Sequence, residues 1–164
     1  VEIDKQFRGR LQKSWLREVI RKALSFQKEP AAEISLLVTQ DETVQHLNRT
    51  YRGIDQTTDV LAFALDGEIA DSDMHGFVDP PDGLVHLGEV VLSYPQAVRQ
   101  AEEYQHAVEQ EIALLVIHGV LHLLGYDHEM PAEEQEMRKL EARMLNAVLQ
   151  HMEGKSALQK DEAA

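Results

Sequence analysis

Residues 118–128 read HGVLHLLGYDH, and they constrain this chain more than any other stretch. Histidine recurs at 118, 122 and 128, a spacing of H-x3-H-x5-H. Residues four apart on a helix share a face, with Cβ atoms about 5–6 Å from each other, so His118 and His122 can reach one ion. Gly125 follows, and glycine commonly ends helices because it adopts positive φ readily. A chain that turns there can return His128 to the same point. Three neutral imidazoles with a fourth position open are the donor set of a catalytic zinc site. The chain holds no cysteine, so thiolate sites and disulfides are excluded and any metal must take His, Asp or Glu.

Residues 112–125, IALLVIHGVLHLLG, are apolar almost all round. A helix of that kind is central and buried. The bland reading of His118 and His122 is two buried, hydrogen-bonded imidazoles. Against it, each unpaired polar nitrogen in an apolar setting costs about 1–3 kcal/mol, and a shared metal removes that cost for the whole set. His46, His75, His106 and His151 lie in polar contexts and are expected at the surface; His86 falls in a strand pattern. The metzincin proteases share the spacing and the glycine, as HExxHxxGxxH. They place a general-base glutamate after the first histidine. Here that position is Gly119, which has no side chain to move a proton, so a metzincin-like protease is disfavoured.

The other segments build a frame around this helix. Residues 1–7 alternate weakly as a short strand, and residues 11–26 carry a wide apolar stripe at helical spacing. Residues 33–39 and 59–65 are short apolar strands. Between them, Asp41 is placed to cap a helix over 42–51 that buries Val44, Leu47 and Tyr51 and ends at Gly53. Residues 66–82 are acidic and rich in Gly and Pro, a loop. Residues 84–92 form a third core strand, and Pro95 suits the first turn of a helix that runs to 107. A last helix restarts at Pro131 with Met137, Leu140, Met144, Leu145 and Val148 inward. The element order is β-α-β-α-β-β-α-α-α. That predicts an α/β (α+β) fold, a small mixed sheet with packed helices and a buried central helix that carries the metal ligands.

At 164 residues one domain is expected, a single catalytic unit over 1–152 with 153–164 as an unstructured tail. No run of 18 or more apolar residues occurs, which argues against a membrane span. Residues 1–10 lack the apolar core of a signal peptide, so a cytoplasmic location is expected. The net charge is −13, from 29 acidic and 16 basic residues. That argues against a generic nucleic-acid binder, whose footprint is basic. The basic residues crowd one end, however, at Lys5, Arg8, Arg10, Lys13, Arg17, Arg21 and Lys22.

The histidine block, with LNRTYRGIDQTTDVLAF at 47–63 and LGEVVLS at 87–93, closely resembles the YbeY family of bacterial endoribonucleases. The resemblance implies a zinc-dependent, single-strand-specific endoribonuclease. Its implied role is small-subunit rRNA 3′-end processing, ribosome maturation and quality control. One zinc would sit on His118, His122 and His128. An essential arginine in the YR block falls on Arg52. The implied partner is ribosomal RNA on the ribosome, with ribosomal proteins as further partners. The chain departs from the usual PTDVLSF and GDI at Thr57, Ala62 and Glu89.

Arg52 also stands on physical grounds. It lies where a helix ends and a loop begins, and a guanidinium fork matches phosphate oxygens; the bland reading is a surface ion pair with one of the many carboxylates, and the family block favours phosphate. A zinc-lowered water pKa would supply hydroxide near neutral pH. Asp127, Glu129 and Glu89 are the candidates for general base, and Asp127 could equally orient an imidazole from behind. Attack by the RNA 2′-OH is the competing route. A ribosome- or protein-binding module with a structural zinc is the competing function, although structural zinc normally has four protein ligands and this motif supplies three.

Overall fold

A computed structural model describes residues 1–26, 32–65, 85–126 and 131–162. The loop expected at 66–82 lies outside the described residues. The elements follow the expected order: β1 (Glu2–Ile3), α1 (Lys13–Ser25), β2 (Ala32–Thr39), α2 (Asp41–Arg52), β3 (Val60–Ala64), β4 (Val85–Ser93), α3 (Tyr94–Glu103), α4 (Val108–Leu123) and α5 (Pro131–Glu162). A short 3₁₀ turn, Lys5–Phe7, follows β1. The strands form one mixed sheet in the order β1-β2-β4-β3. β1 and β4 each pair in parallel with β2, and β3 pairs antiparallel with β4.

Side chains alternate across a strand, so each strand feeds two faces. Ile34, Leu36, Val38, Val90 and Leu92 join the larger core, made with α1, α3, α4 and α5. Leu37, Leu61, Phe63 and Val91 point the other way and pack with Val44 and Leu47 of α2. The sheet therefore has an α4 face and an α2 face. α4 is the innermost helix: Ile112, Ala113, Val116, Ile117, Val120 and Leu121 are all buried. Each such aliphatic side chain stabilises the fold by about 1.5–3 kcal/mol relative to exposure.

Some boundaries shift. Asp41 does not cap α2; it is the first residue of the helix, after Gln40. Its carboxylate accepts from Arg99 Nη2 at 2.9 Å and from Ser93 Oγ at 2.7 Å. A charged donor and a hydroxyl from other elements outcompete one backbone N–H. Pro95 does sit in the first turn of α3, and Ser93 caps it by accepting from the Gln96 N–H. The backbone of α5 continues as helix to Glu162, across residues 153–162 that were expected as tail. Ala, Leu, Lys, Gln and Glu dominate that stretch and are strong helix formers, so a helix already nucleated upstream extends at little cost.

Candidate metal centre

His118 and His122 project from the last turns of α4, and each is half-buried. The helix can come close to the sheet because residue 119 is glycine. A Cβ there would lie 2.7 Å from Val90 Cγ1 and 3.5 Å from Val60 Cγ2. Gly119 thus lacks the carboxylate a metzincin-type protease needs, and the site has no room for one. α4 ends at Leu123, and Gly125 then takes φ 96°, the left-handed turn expected of it. Its N–H donates to His122 O, and Tyr126 N–H to Leu121 O.

The two imidazoles converge. Their Nε2 atoms lie 3.0 Å apart, with the rings at 74° to each other. His118 Nδ1 lies 2.6 Å from Glu141 Oε1 on α5. A carboxylate oxygen accepts, so in this contact Nδ1 is the donor and Nε2 is the nitrogen turned towards His122. A carboxylate behind a histidine is the usual support for a metal-ligating ring. Two nitrogens on one tetrahedral zinc, at about 2.0–2.1 Å each, would stand about 3.3 Å apart. The observed pair lies close to that separation, so the donors present fit a divalent metal.

Among the described residues no third His, Asp or Glu joins them as a metal-holding group. His128, the expected third ligand, lies outside the described residues, as do Asp127 and Glu129. Glu141 was missed in the sequence, although a signal was present. It falls between Met137 and Met144 at the spacing of the inward stripe of α5, and an acid on an apolar stripe is out of place unless something meets it.

Arg52 and Glu89 sit elsewhere. Both line a cleft of about 610 Å³ on the α2 face, together with Leu47, Tyr51, Phe63 and Val91. Glu89 alternates with Val90, so its carboxylate is on the face away from α4. Arg52 is the last residue of α2, next to Gly53 at φ 70°. A cation there is favoured by the helix dipole. Its Nη2 reaches Ala62 O at 3.5 Å, on the edge strand β3. One strand thus separates the arginine from the side of the sheet that carries the histidines.

Two further residues correct the sequence reading. Tyr51, expected inward, is 67% exposed and meets Phe63 edge-on at 5.4 Å. The register of α2 turns its last helical turn past the edge of the core. His106, expected at the surface, is partly covered and lies against the buried carboxylate of Glu111. Gln100 Nε2 donates to the other oxygen of that carboxylate at 2.8 Å. A buried carboxylate at the start of α4 needs such partners, and these come from α3 and the turn after it.

Known proteins place this geometry in context. The family model described as Endoribonuclease YbeY matches residues 2–149. An Endoribonuclease YbeY of Roseiflexus castenholzii is 51% identical over 123 residues, covering 74% of each chain. Another, from Halalkalibacterium halodurans, is 42% identical over 139 residues, covering 83% of this chain and 86% of its own. A Thermotoga maritima protein solved in solution superposes with a TM-score of 0.58 at 25% identity, over 94% of this chain and 91% of its own.

Proposed function

The chain belongs to the endoribonuclease YbeY family, and on that premise we propose that it cuts single-stranded RNA at a zinc site held by His118, His122 and His128. The observation that carries this reading is the convergence of His118 and His122 at 3.0 Å with Glu141 behind His118. When bound, zinc supplies a Lewis acid and a water with its pKa brought towards 7.

The chain's own residues do the rest. Glu141 fixes the tautomer and the aim of His118. Arg52, around the edge of β3, binds a phosphate of the strand being cut and holds that strand in place over the metal site. An RNA strand lying across the β3 edge can meet Arg52 and the histidines at once. Asp127 and Glu129, next to His128 in sequence, are the candidates for taking the proton. Glu89 stands with Arg52 rather than with the histidines, so we assign it to the RNA and not to the metal.

We further propose that the substrate is small-subunit ribosomal RNA near its 3′ end, cut by one catalytic domain over 1–152. With a net charge of −13 the protein should bind free RNA weakly, and more weakly still as salt rises. Assembled ribosomal particles, met by the basic residues at the start of the chain, would present the target. No helix among the described residues is long and apolar enough to cross a membrane; the location that suits this substrate is the cytoplasm.

The test is cleavage of free RNA beside assembled small subunits, with elemental analysis of protein purified without added metal. Zinc near one per chain and faster cutting on the particles are expected. A fourth protein ligand on the metal would sink the catalytic reading. End-group analysis decides the attacking group: a 2′,3′-cyclic phosphate product excludes direct attack by water.

A further inference from the structure

The cleft on the α2 face has more in it than a phosphate clamp needs. We propose that it is a nucleobase subsite: Tyr51 and Phe63 stack one unpaired base of the RNA, Glu89 reads its edge with a preference for guanine, and Arg52 holds the adjoining phosphate. The proposal rests on the ribonuclease reading above and deepens it.

Size comes first. A volume of about 610 Å³ falls inside the roughly 300–1,000 Å³ of small-molecule sites. The floor is apolar, from Leu47 and Val91. The wall is aromatic. Tyr51 is 67% exposed although it touches Phe63 and lines the cleft. A large ring left in water beside a cavity is a stacking platform, because every base has a π-face to offer. Proteins that read RNA by sequence take unpaired bases on such rings.

Charge then orients the nucleotide. Arg52 and Glu89 line the same cleft with opposite signs. A phosphate is drawn to the guanidinium and repelled by the carboxylate, so the base end falls to Glu89. A carboxylate offers acceptors only. Guanine presents N1–H and N2–H side by side, which two carboxylate oxygens can accept together. Uracil presents two carbonyls and a single N–H, and its oxygens would face the carboxylate. Discrimination between the two follows from this pairing.

The experiment is a titration of the full-length, zinc-loaded, ¹⁵N-labelled protein with guanosine, adenosine, cytidine and uridine monophosphates, read by amide chemical shifts. Guanosine monophosphate should move the resonances of Tyr51, Phe63 and Glu89. Uridine monophosphate should bind about 10-fold more weakly, the scale of one good bidentate pair. Glu89→Gln should bring the two within about twofold of each other, because an amide both donates and accepts. Tyr51→Ala should weaken every nucleotide by about 10-fold. Both side chains are exposed, and the dispersion of the same spectra reports whether the variants fold. Shifts confined to other residues, equal binding of guanosine and uridine, or a preference that survives Glu89→Gln would each overturn the subsite. RNA cleavage by the wild type, run in parallel, separates the two claims. Cleavage with no shifts in the cleft removes the subsite alone. Guanine-selective shifts without cleavage keep the subsite and remove the nuclease reading.

Discussion

The two faces of the β3–β4 pair are built to different tolerances. On the α4 face, Gly119 lets the helix settle against Val60 and Val90, and the histidines project from a helix buried on nearly every side. Glu141 then locks His118 from α5. On the α2 face, Arg52 ends a 12-residue helix, its partner Ala62 O is 3.5 Å away, and Tyr51 beside it is largely in water. Metal ligands must meet one point within a few tenths of an ångström. A guanidinium on a long stem can follow a phosphate that moves. The rigid face therefore suits the chemistry and the exposed face suits the substrate.

The sharpest way to break that contrast is to remove a ligand. His122→Ala should lose the metal and lower RNA cleavage by about 10³-fold or more, while Arg52→Ala should keep the metal. Elemental analysis of both proteins, set beside their cleavage rates, checks the pair. Equal zinc in the two variants would erase the distinction between the faces. Arg52→Ala itself should cost about 10²-fold in cleavage, the scale of a misplaced substrate, with an unchanged melting temperature. A large fall in melting temperature would mean the arginine serves the fold.

Glu141→Ala tests the support behind the site. Losing such a carboxylate weakens metal binding by about 10–100-fold, measurable by competition with a chelator of known affinity. Glu141→Gln should recover part of the loss, since an amide oxygen still accepts from His118 Nδ1. The smallest effect concerns packing. Gly119→Ala gains about 1 kcal/mol of helix propensity but drives a methyl into Val90, a β-branched side chain with little rotamer freedom. Overpacking of that kind costs about 1–3 kcal/mol, so denaturant unfolding should show net destabilisation. A stabilised Gly119→Ala would mean that α4 can move off the sheet.

Much of the fold was legible because its signals are local. The stripe of α1 at Leu16, Val19, Ile20 and Ala23, the all-round apolar character of α4 and the turn at Gly125 are each written within one or two turns of chain. Asp41 and Tyr51 misled for one reason. Helical spacing says which residues share a face but not how far the neighbouring core extends, nor which donors arrive from elsewhere. Ser93 and Arg99 reach Asp41 from more than 50 positions away.

The site divides along the same line. The sequence by itself determined that His118 and His122 share a helix face, that the helix is central, and that Gly119 withholds a general base there, because four-residue spacing and side-chain chemistry need no partner to be read. Only the tertiary structure decided that Glu141 stands behind His118 and that Arg52 and Glu89 share a cleft on the α2 face of the sheet. Those facts depend on which helix covers which face of β3 and β4. Alternation along a strand creates two faces, but contacts between segments distant in sequence choose what each one meets.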